Sequence, residues 1–346
     1  MKTAALASLL LSGMAATAAA QEAVEPRVSA EAVVSASMLS SNAHVAGMVD
    51  VTSTLRLGGG ATLIARPWAW RRPDGTSTFQ WYQLQLRYQS GGRTPIRIDA
   101  GVITSPIGLS TLQMRADLNP TISPVTYYVI PLPRFERTAE SLQPLTAGYP
   151  VGAIVSTSST HWDLRGGVLD TTPARNGVAL KEDPYPSLPQ AVVGGGLTLR
   201  PGLRIGAAVA HGGYRKADVG VSEGTASVAN VEGEYTIDHT RLSGEWVVDR
   251  FHGATGVVRA KSFYLQGVQT ITPRIFAAAR LVRVRTPPVF GLGLATEWSA
   301  AELTGGLRVT PHVTVRAGYY GQRPYFRDDW THAAAGSIVL DGRWWR

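Results

Sequence analysis

The sequence predicts an all-β fold, a single antiparallel transmembrane β-barrel of about sixteen strands. Apolar and polar residues alternate at period two in many successive segments, as they do in a strand with one apolar and one polar face. Helical periodicity is almost absent after the first twenty residues. Tight and long connections also tend to alternate along the chain, which is typical of barrels in an outer membrane.

The first twenty residues have the pattern of a secretory signal peptide. Met1-Lys2-Thr3 is a short basic start, an apolar run surrounds Leu9-Leu10-Leu11, and Ala18-Ala19-Ala20 offers a small-residue cleavage site. We therefore expect residues 1–20 to be removed and residues 21–346 to form the barrel. An uncleaved anchor is the alternative, but the run is shorter than the roughly 20 residues that a spanning helix needs.

The composition argues against several classes of protein. The chain has no cysteine, which excludes disulfides, thiolate metal sites and a lipid-modified cysteine. Its 7 histidines show no metal-ligand spacing, and we expect neither a metal nor a cofactor. The formal net charge is +8, but Lys and Arg stand singly along the strands, which argues against nucleic acid as a partner.

The alternation is clear in Tyr82–Gln89, where Tyr and Leu occupy one face and Gln and Arg the other. Aromatic residues near strand ends, Tyr82 and Trp344 among them, are interpreted as girdles at the membrane interfaces. Pro67 leaves the faces of its strand unassigned, and a phase change near Arg280–Arg285 suggests a bulge. The predicted strands lie near 27–39, 44–57, 61–72, 78–90, 94–105, 151–159, 161–170, 191–200, 203–214, 225–238, 240–251, 256–271, 273–285, 297–309, 312–323 and 333–345.

The connections point to a barrel in a membrane. Tight turns such as 58–60, 200–202 and 238–240 alternate with longer connections, although those near 40–43 and 252–255 are short. An even strand number would place both chain ends on the side of the tight turns. A soluble β-sandwich is the alternative, but it has no reason to collect its short turns at one end.

Residues 106–150 form the longest connection and hold 7 of the 21 prolines. Their apolar content argues against disorder, and loops this long in a compact fold are usually functional. The segment's charged residues are candidates for setting the size and field of the pore: Arg115, Asp117, Arg134, Glu136, Arg137 and Glu140.

This layout resembles the Gram-negative outer-membrane porins. By position, 106–150 matches the loop that folds into sixteen-stranded porins and narrows the channel, so the resemblance implies a constriction; a lid over the mouth is the alternative. The alternating C-terminal strand Ser337–Arg346 resembles the signal read by the outer-membrane insertion machinery. Arg97–Leu109 is similar to a passage of the phosphate-selective porin family, but that family's lysine cluster has no counterpart here.

Every second residue of a strand lies on the same face, a rule called strand parity here. Strand parity predicts the remaining candidates for the pore lining, which are Arg87, Arg97, Asp99, Arg280, Arg308 and Arg316, and it also predicts that Arg259 faces inward. Basic rings in a narrow passage favour anions, whereas local pairing, as of Arg97 with Asp99, would cancel that preference. The expected function is passive diffusion of small hydrophilic solutes or ions, with a lean toward anions. Outer-membrane lipids would surround the barrel, and the resemblance implies a homotrimer.

Two other functions remain open. A barrel that does not conduct could act as an adhesin or scaffold, and a filled interior would favour it. A lipid-active enzyme would need a Ser–His pair facing lipid, for which Ser159 and His161 are candidates. No G-x-S-x-G motif is present, and we expect no enzymatic activity.

Overall fold

The computed structural model describes residues 28–40, 42–72, 75–92, 94–123, 148–170, 188–215, 224–253, 256–286, 297–325 and 327–345. In these ranges, sixteen antiparallel strands close into a barrel, with β1 paired to β16. No helix within the same ranges is long and apolar enough to cross a membrane. The predicted fold class, strand number and strand direction are confirmed.

The strands follow one another around the barrel in chain order, and each predicted strand has its counterpart. They are β1 Val28–Leu39, β2 Asn42–Gly58, β3 Ala61–Arg71, β4 Ser77–Gln89, β5 Ile96–Val102, β6 Val151–Ser158, β7 Trp162–Asp170, β8 Pro189–Arg200, β9 Leu203–Arg215, β10 Gly224–Ile237, β11 Thr240–Gly253, β12 Gly256–Thr270, β13 Ile275–Arg285, β14 Glu297–Thr310, β15 Val313–Arg323 and β16 Thr331–Trp345. A short 3₁₀ helix, Ser110–Met114, lies between β5 and β6.

Closure removes the free strand edges that an open sheet would expose. Residues on β1 and β16 face each other in one continuous register, with Val34 opposite Leu340 and Ser37 opposite Ser337. At the tight turn after β2, Gly60 has a φ of +82°, and a Cβ there would lie 2.3 Å from the carbonyl oxygen of Gln89. Glycine is therefore required where this turn crosses the neighbouring strand.

Alternation sorts the side chains between the outer surface and the interior. On β10, Val228, Asn230 and Glu232 are buried, while Val231 between them is exposed. The same outward face carries exposed apolar side chains around the barrel, such as Trp246 at 50% and Leu281 at 53%. The outer surface is apolar over most of the strand length, and the interior holds most of the charged groups.

A bulge between β3 and β4 explains why the sequence alone could not assign the inward and outward faces of β3. The pairing passes from Arg66 opposite Gln83 to Pro67 opposite Trp81, so Tyr82 is an extra residue. Pro67 is tolerated at this irregularity because the ladder is already broken there. Trp68 and Tyr82 turn inward and are 6% and 3% exposed. The interpretation of Tyr82 as part of an interface girdle was wrong, because the bulge changes the phase of its strand.

The expected bulge in β13 is absent. Its pairing with β12 and β14 runs without a shift of register. Arg280 faces inward at 2% exposure, and Arg283 and Arg285 face outward. Arg259 also faces outward, since it alternates with the buried Ala260, so its expected inward position was wrong.

Candidate pore lining

Residues 105–123, called here the inner segment, comprise Ser105 and the first part of the 106–150 segment and lie inside the barrel. The segment leaves β5 beside Gly148, whose carbonyl accepts a hydrogen bond of 3.3 Å from the Ser105 backbone N–H. The backbone N–H groups of Leu109 and Ser110 then donate to the inward-facing carboxylate of Glu245 on β11, at 2.8 and 3.1 Å. The inner segment thus crosses from the β5 wall to the β11 wall.

A second anchor lies on β13 and β14. The carboxylate of Glu302 accepts hydrogen bonds from the backbone N–H groups of Ile122 and Ser123, at 2.6 and 3.2 Å. Arg280 donates to Glu302 at 3.2 Å and to the Ser123 hydroxyl at 3.1 Å. The Arg280 and Glu302 side chains are only 1% and 3% exposed. Charge-assisted bonds in such a dry setting are stronger than neutral ones.

The inner segment also reaches β15 and β1. Arg316 donates to the carbonyl oxygen of Thr121 at 2.6 Å and to that of Ala116. Arg115 pairs with Asp117 at 2.6 Å and with Glu31 of β1 at 2.8 Å. Burial by itself would lower the pKa of Arg115, but these hydrogen bonds raise it overall, so the guanidinium stays charged.

Apolar contacts reinforce the polar anchors on one side of the interior. Ile107 of the inner segment, with Ile103 before it, belongs to a buried cluster that includes Val228 and Val247 on the barrel wall, and Met114 packs against this cluster. A closely packed interface of this kind excludes water. The interior is therefore filled between the inner segment and this part of the wall.

On the other side of the inner segment, a cavity of about 510 Å³ remains. One wall is aromatic: Tyr82 stacks on Trp68 and Tyr149, with ring centroids 4.6 and 4.1 Å apart. Burial raises the pKa of Tyr149 to about 12, so its phenol is neutral near pH 7. The small side chains of Ser37 and Ser337 also line the cavity.

Three predicted residues meet near the tight-turn end of β4 and β5. Asp99 pairs with Arg87 at 2.6 Å and with Arg97 at 2.9 Å. Arg97 remains 45% exposed at its side chain. The local pairing that was the alternative to an anion-favouring ring is therefore present at this position.

The other predicted residues are scattered. Arg308 lies at the tight-turn end of β14, where it donates to the carbonyl oxygen of Pro273 at 3.0 Å and its guanidinium lies 4.9 Å from the centre of the Phe276 ring. Arg115 and Asp117 belong to the inner segment, and Arg280 and Arg316 contact it from the wall. Arg134, Glu136, Arg137 and Glu140 lie outside the described residues.

A further charged group lies on β7 to β10; the sequence predicts that its members Arg204 and Glu232 face inward, whereas Asp163 and Arg165 were missed. Arg204 pairs with Asp163 at 2.8 Å and with Glu232 at 2.8 Å, and Arg165 lies 3.3 Å from Glu232. Strand parity places all four side chains inward, so the inward orientation of Asp163 and Arg165 could have been predicted from the sequence. Their contacts depend on the register between neighbouring strands.

The predicted Ser–His pair does not have catalytic geometry. The Ser159 hydroxyl oxygen accepts backbone N–H groups from His161 and Trp162, at 3.2 and 3.3 Å, as serine does in a turn. A different pair meets on the outer face, where His211 Nδ1 lies 2.8 Å from Ser227 Oγ. No carboxylate contacts His211 among the described residues.

The chain matches no protein-family model and no curated sequence. Among solved structures it is similar to OmpF of Salmonella typhi in complex with daunomycin, with 9% identity, a TM-score of 0.59 and coverage of 92% of this chain and 97% of that chain. The fold is that of a porin barrel.

Two other outer-membrane barrels show the same likeness. An anion-selective porin from Comamonas acidovorans has 12% identity and a TM-score of 0.56, with 93% and 100% of the two chains covered. OmpT of Vibrio cholerae in a trimer form has 12% identity and a TM-score of 0.54, with 93% and 99% covered. At these identities the likeness is one of fold, and the resemblance to the phosphate-selective family still depends on Arg97–Leu109 alone.

Proposed function

We propose that this chain is an outer-membrane porin through which small hydrophilic solutes or ions diffuse passively. The observation that carries the proposal is the inner segment, fixed by Glu245, Glu302 and Arg316 against one side of the interior with a cavity left on the other. Side chains beside that cavity would set the size and the field of the passage. Residues 106–150 would thus act as the constriction.

The charge of the pore lining supports a weak preference for anions. Arg87 and Arg97 share the single carboxylate of Asp99, and Arg280 pairs with Glu302. Arg56 and Arg241, which face inward near the tight-turn end, have no carboxylate partner among the described residues. These two cations, with the positive charge left over at Arg87 and Arg97, would give the passage its residual positive field.

Location and assembly follow from the same proposal. A cleaved segment 1–20 would carry the chain across the inner membrane, and lipids of the outer membrane would contact the apolar outer face. A homotrimer is proposed as the assembly, since the OmpT barrel named above has a trimer form.

Recording from the purified protein in a planar bilayer tests the pore. We expect discrete conductance steps and, in a salt gradient, a reversal potential with the sign of slight anion preference. The variant Arg56→Gln/Arg241→Gln should shift this potential toward the cation side. A clearly cation-selective wild-type protein would refute the proposed preference for anions. A bilayer that shows no conductance steps after the protein is added would refute the pore.

A barrel that does not conduct is the second candidate. The apolar packing of Ile107 and Met114 against the wall favours it, because that part of the interior is already closed. Such a protein would insert into the bilayer and give no steps.

We do not propose an enzyme. Ser227 and His211 are in contact, but the histidine lacks the orienting group that activates serine nucleophiles, within the part of the chain that the structure describes. Replacing Ser227 with alanine should therefore leave any lipid hydrolysis by the purified sample unchanged.

A further inference from the structure

Basic side chains form a band on the outer face of β11 to β15, at the end of the barrel with the long connections. The members of this outer basic band alternate with inward-facing neighbours, which places them on the membrane side of the wall. They are Arg250, Arg259, Lys261, Arg283, Arg285 and Arg323.

The strand register brings these cations together. Arg250 lies directly opposite Arg259, and Lys261 lies directly opposite Arg285. Paired strands are roughly 4.8 Å apart, and like charges placed opposite each other are destabilising. The band therefore has a cost in the isolated chain that an external anion would offset.

The chain supplies little negative charge of its own here. Glu297 accepts hydrogen bonds from Arg283, Arg285 and Arg323. Arg250, Arg259 and Lys261 have no carboxylate partner among the described residues. The connections beside them, 254–255 and 287–296, contain no Asp or Glu. The six cations of the band therefore share one carboxylate, that of Glu297.

The position of the band matches the edge of a bilayer. Farther toward the tight turns, the same outward faces carry exposed apolar side chains, with Leu265 at 53%, Leu281 at 53% and Leu303 at 60%. Four residues of strand, from Lys261 to Leu265, span roughly 13 Å. A lipid with its acyl chains on the apolar belt would hold its headgroup at the level of the cations.

We propose that the outer basic band binds the phosphate groups of an anionic lipid in the leaflet on the side of the long connections. Arginine suits this role, because its planar fork donates two hydrogen bonds to one phosphate group. Basic clusters at the membrane interface attract anionic headgroups. The inference rests on the proposed membrane location, although it does not require that the barrel conducts.

The test compares lipid binding by delipidated protein in neutral detergent, measured by native mass spectrometry. The probes are lipid A, which carries phosphate groups, and the zwitterionic phosphatidylcholine. We expect lipid A to be retained in preference, and Arg250→Gln/Arg259→Gln to weaken its binding about thirtyfold. The control, Arg200→Gln/Arg274→Gln, removes the same charge from the tight-turn end and should leave binding unchanged. Heat-dependent gel mobility confirms that each variant is folded.

Three results would overturn the inference: equal retention of both lipids, an equal loss in the control, or full displacement of lipid A by inorganic phosphate, which would indicate a soluble anion site. A disulfide-linked dimer of Arg259→Cys would also overturn it, because a second copy of the chain would then cover the band. Conductance recorded on the same samples separates the two proposals, since a conducting barrel without lipid preference contradicts only this one.

Discussion

Glu302 joins two parts of the molecule that are distant in sequence. Its carboxylate accepts hydrogen bonds from Ile122, Ser123 and Arg280 inside the barrel. Strand parity predicts that Glu302 and Arg280 face inward, because each alternates with apolar residues on its strand. Parity holds no information about Ile122 and Ser123, since their approach depends on the path of a connection that has no repeating pattern.

The substitution Glu302→Gln should destabilise the barrel, because Arg280 would then be buried without its counter-charge. Removing one partner of a buried ion pair costs about 3–5 kcal/mol. Thermal unfolding in detergent measures the loss. The matched control is Glu234→Gln, an inward glutamate with no ion pair among the described residues. Equal melting temperatures for the two variants would contradict the assigned role of Glu302.

At the scale of elements, the inner segment has almost no regular structure of its own. Its 3₁₀ helix, Ser110–Met114, has no side-chain cap, so the barrel wall must hold it in place. Gly108 permits the closest approach, because its φ is +76° and a Cβ there would lie 2.2 Å from a carboxylate oxygen of Glu245. The sequence marks this glycine only as one of 37.

The substitution Gly108→Ala should displace the inner segment from Glu245 and change the conductance. Gly75→Ala is the control, because Gly75 has a similar φ of +85° and a Cβ added there would meet no atom within 4 Å. Both variants carry the backbone cost of about 1–2 kcal/mol, but only Gly108→Ala adds a clash. Single-channel recording with thermal unfolding compares them, and matching behaviour would argue against the contact.

Strand elements show where parity succeeds and where it fails. It places Arg97, Asp99 and Arg316 correctly because their strands keep one phase. It fails at Tyr82, where a bulge adds a residue, and at Arg259. At Arg259 a polar side chain faces outward at the membrane edge, so the rule that polar residues face the interior no longer holds.

For the whole molecule, closure of the sheet could be predicted because every strand repeats the same two-sided pattern. The strand ends and the tight turns followed from the same pattern and from glycine and proline. The size of the passage could not be predicted, since it is the difference between the barrel interior and the volume of the inner segment. Small displacements of Arg115 or Ile122 would change it without altering any pattern in the sequence.

A water-filled passage beside the inner segment is the feature on which the proposed function depends, and thiol modification tests it most directly. The chain has no cysteine, so Ser37→Cys, which lines the cavity, and Ser53→Cys, which faces outward on β2, each introduce one thiol. In a planar bilayer, a charged methanethiosulfonate reagent should reduce the current through the Ser37 variant and leave the Ser53 variant unchanged. An unblocked current through the Ser37 variant, despite complete modification, would contradict the passage.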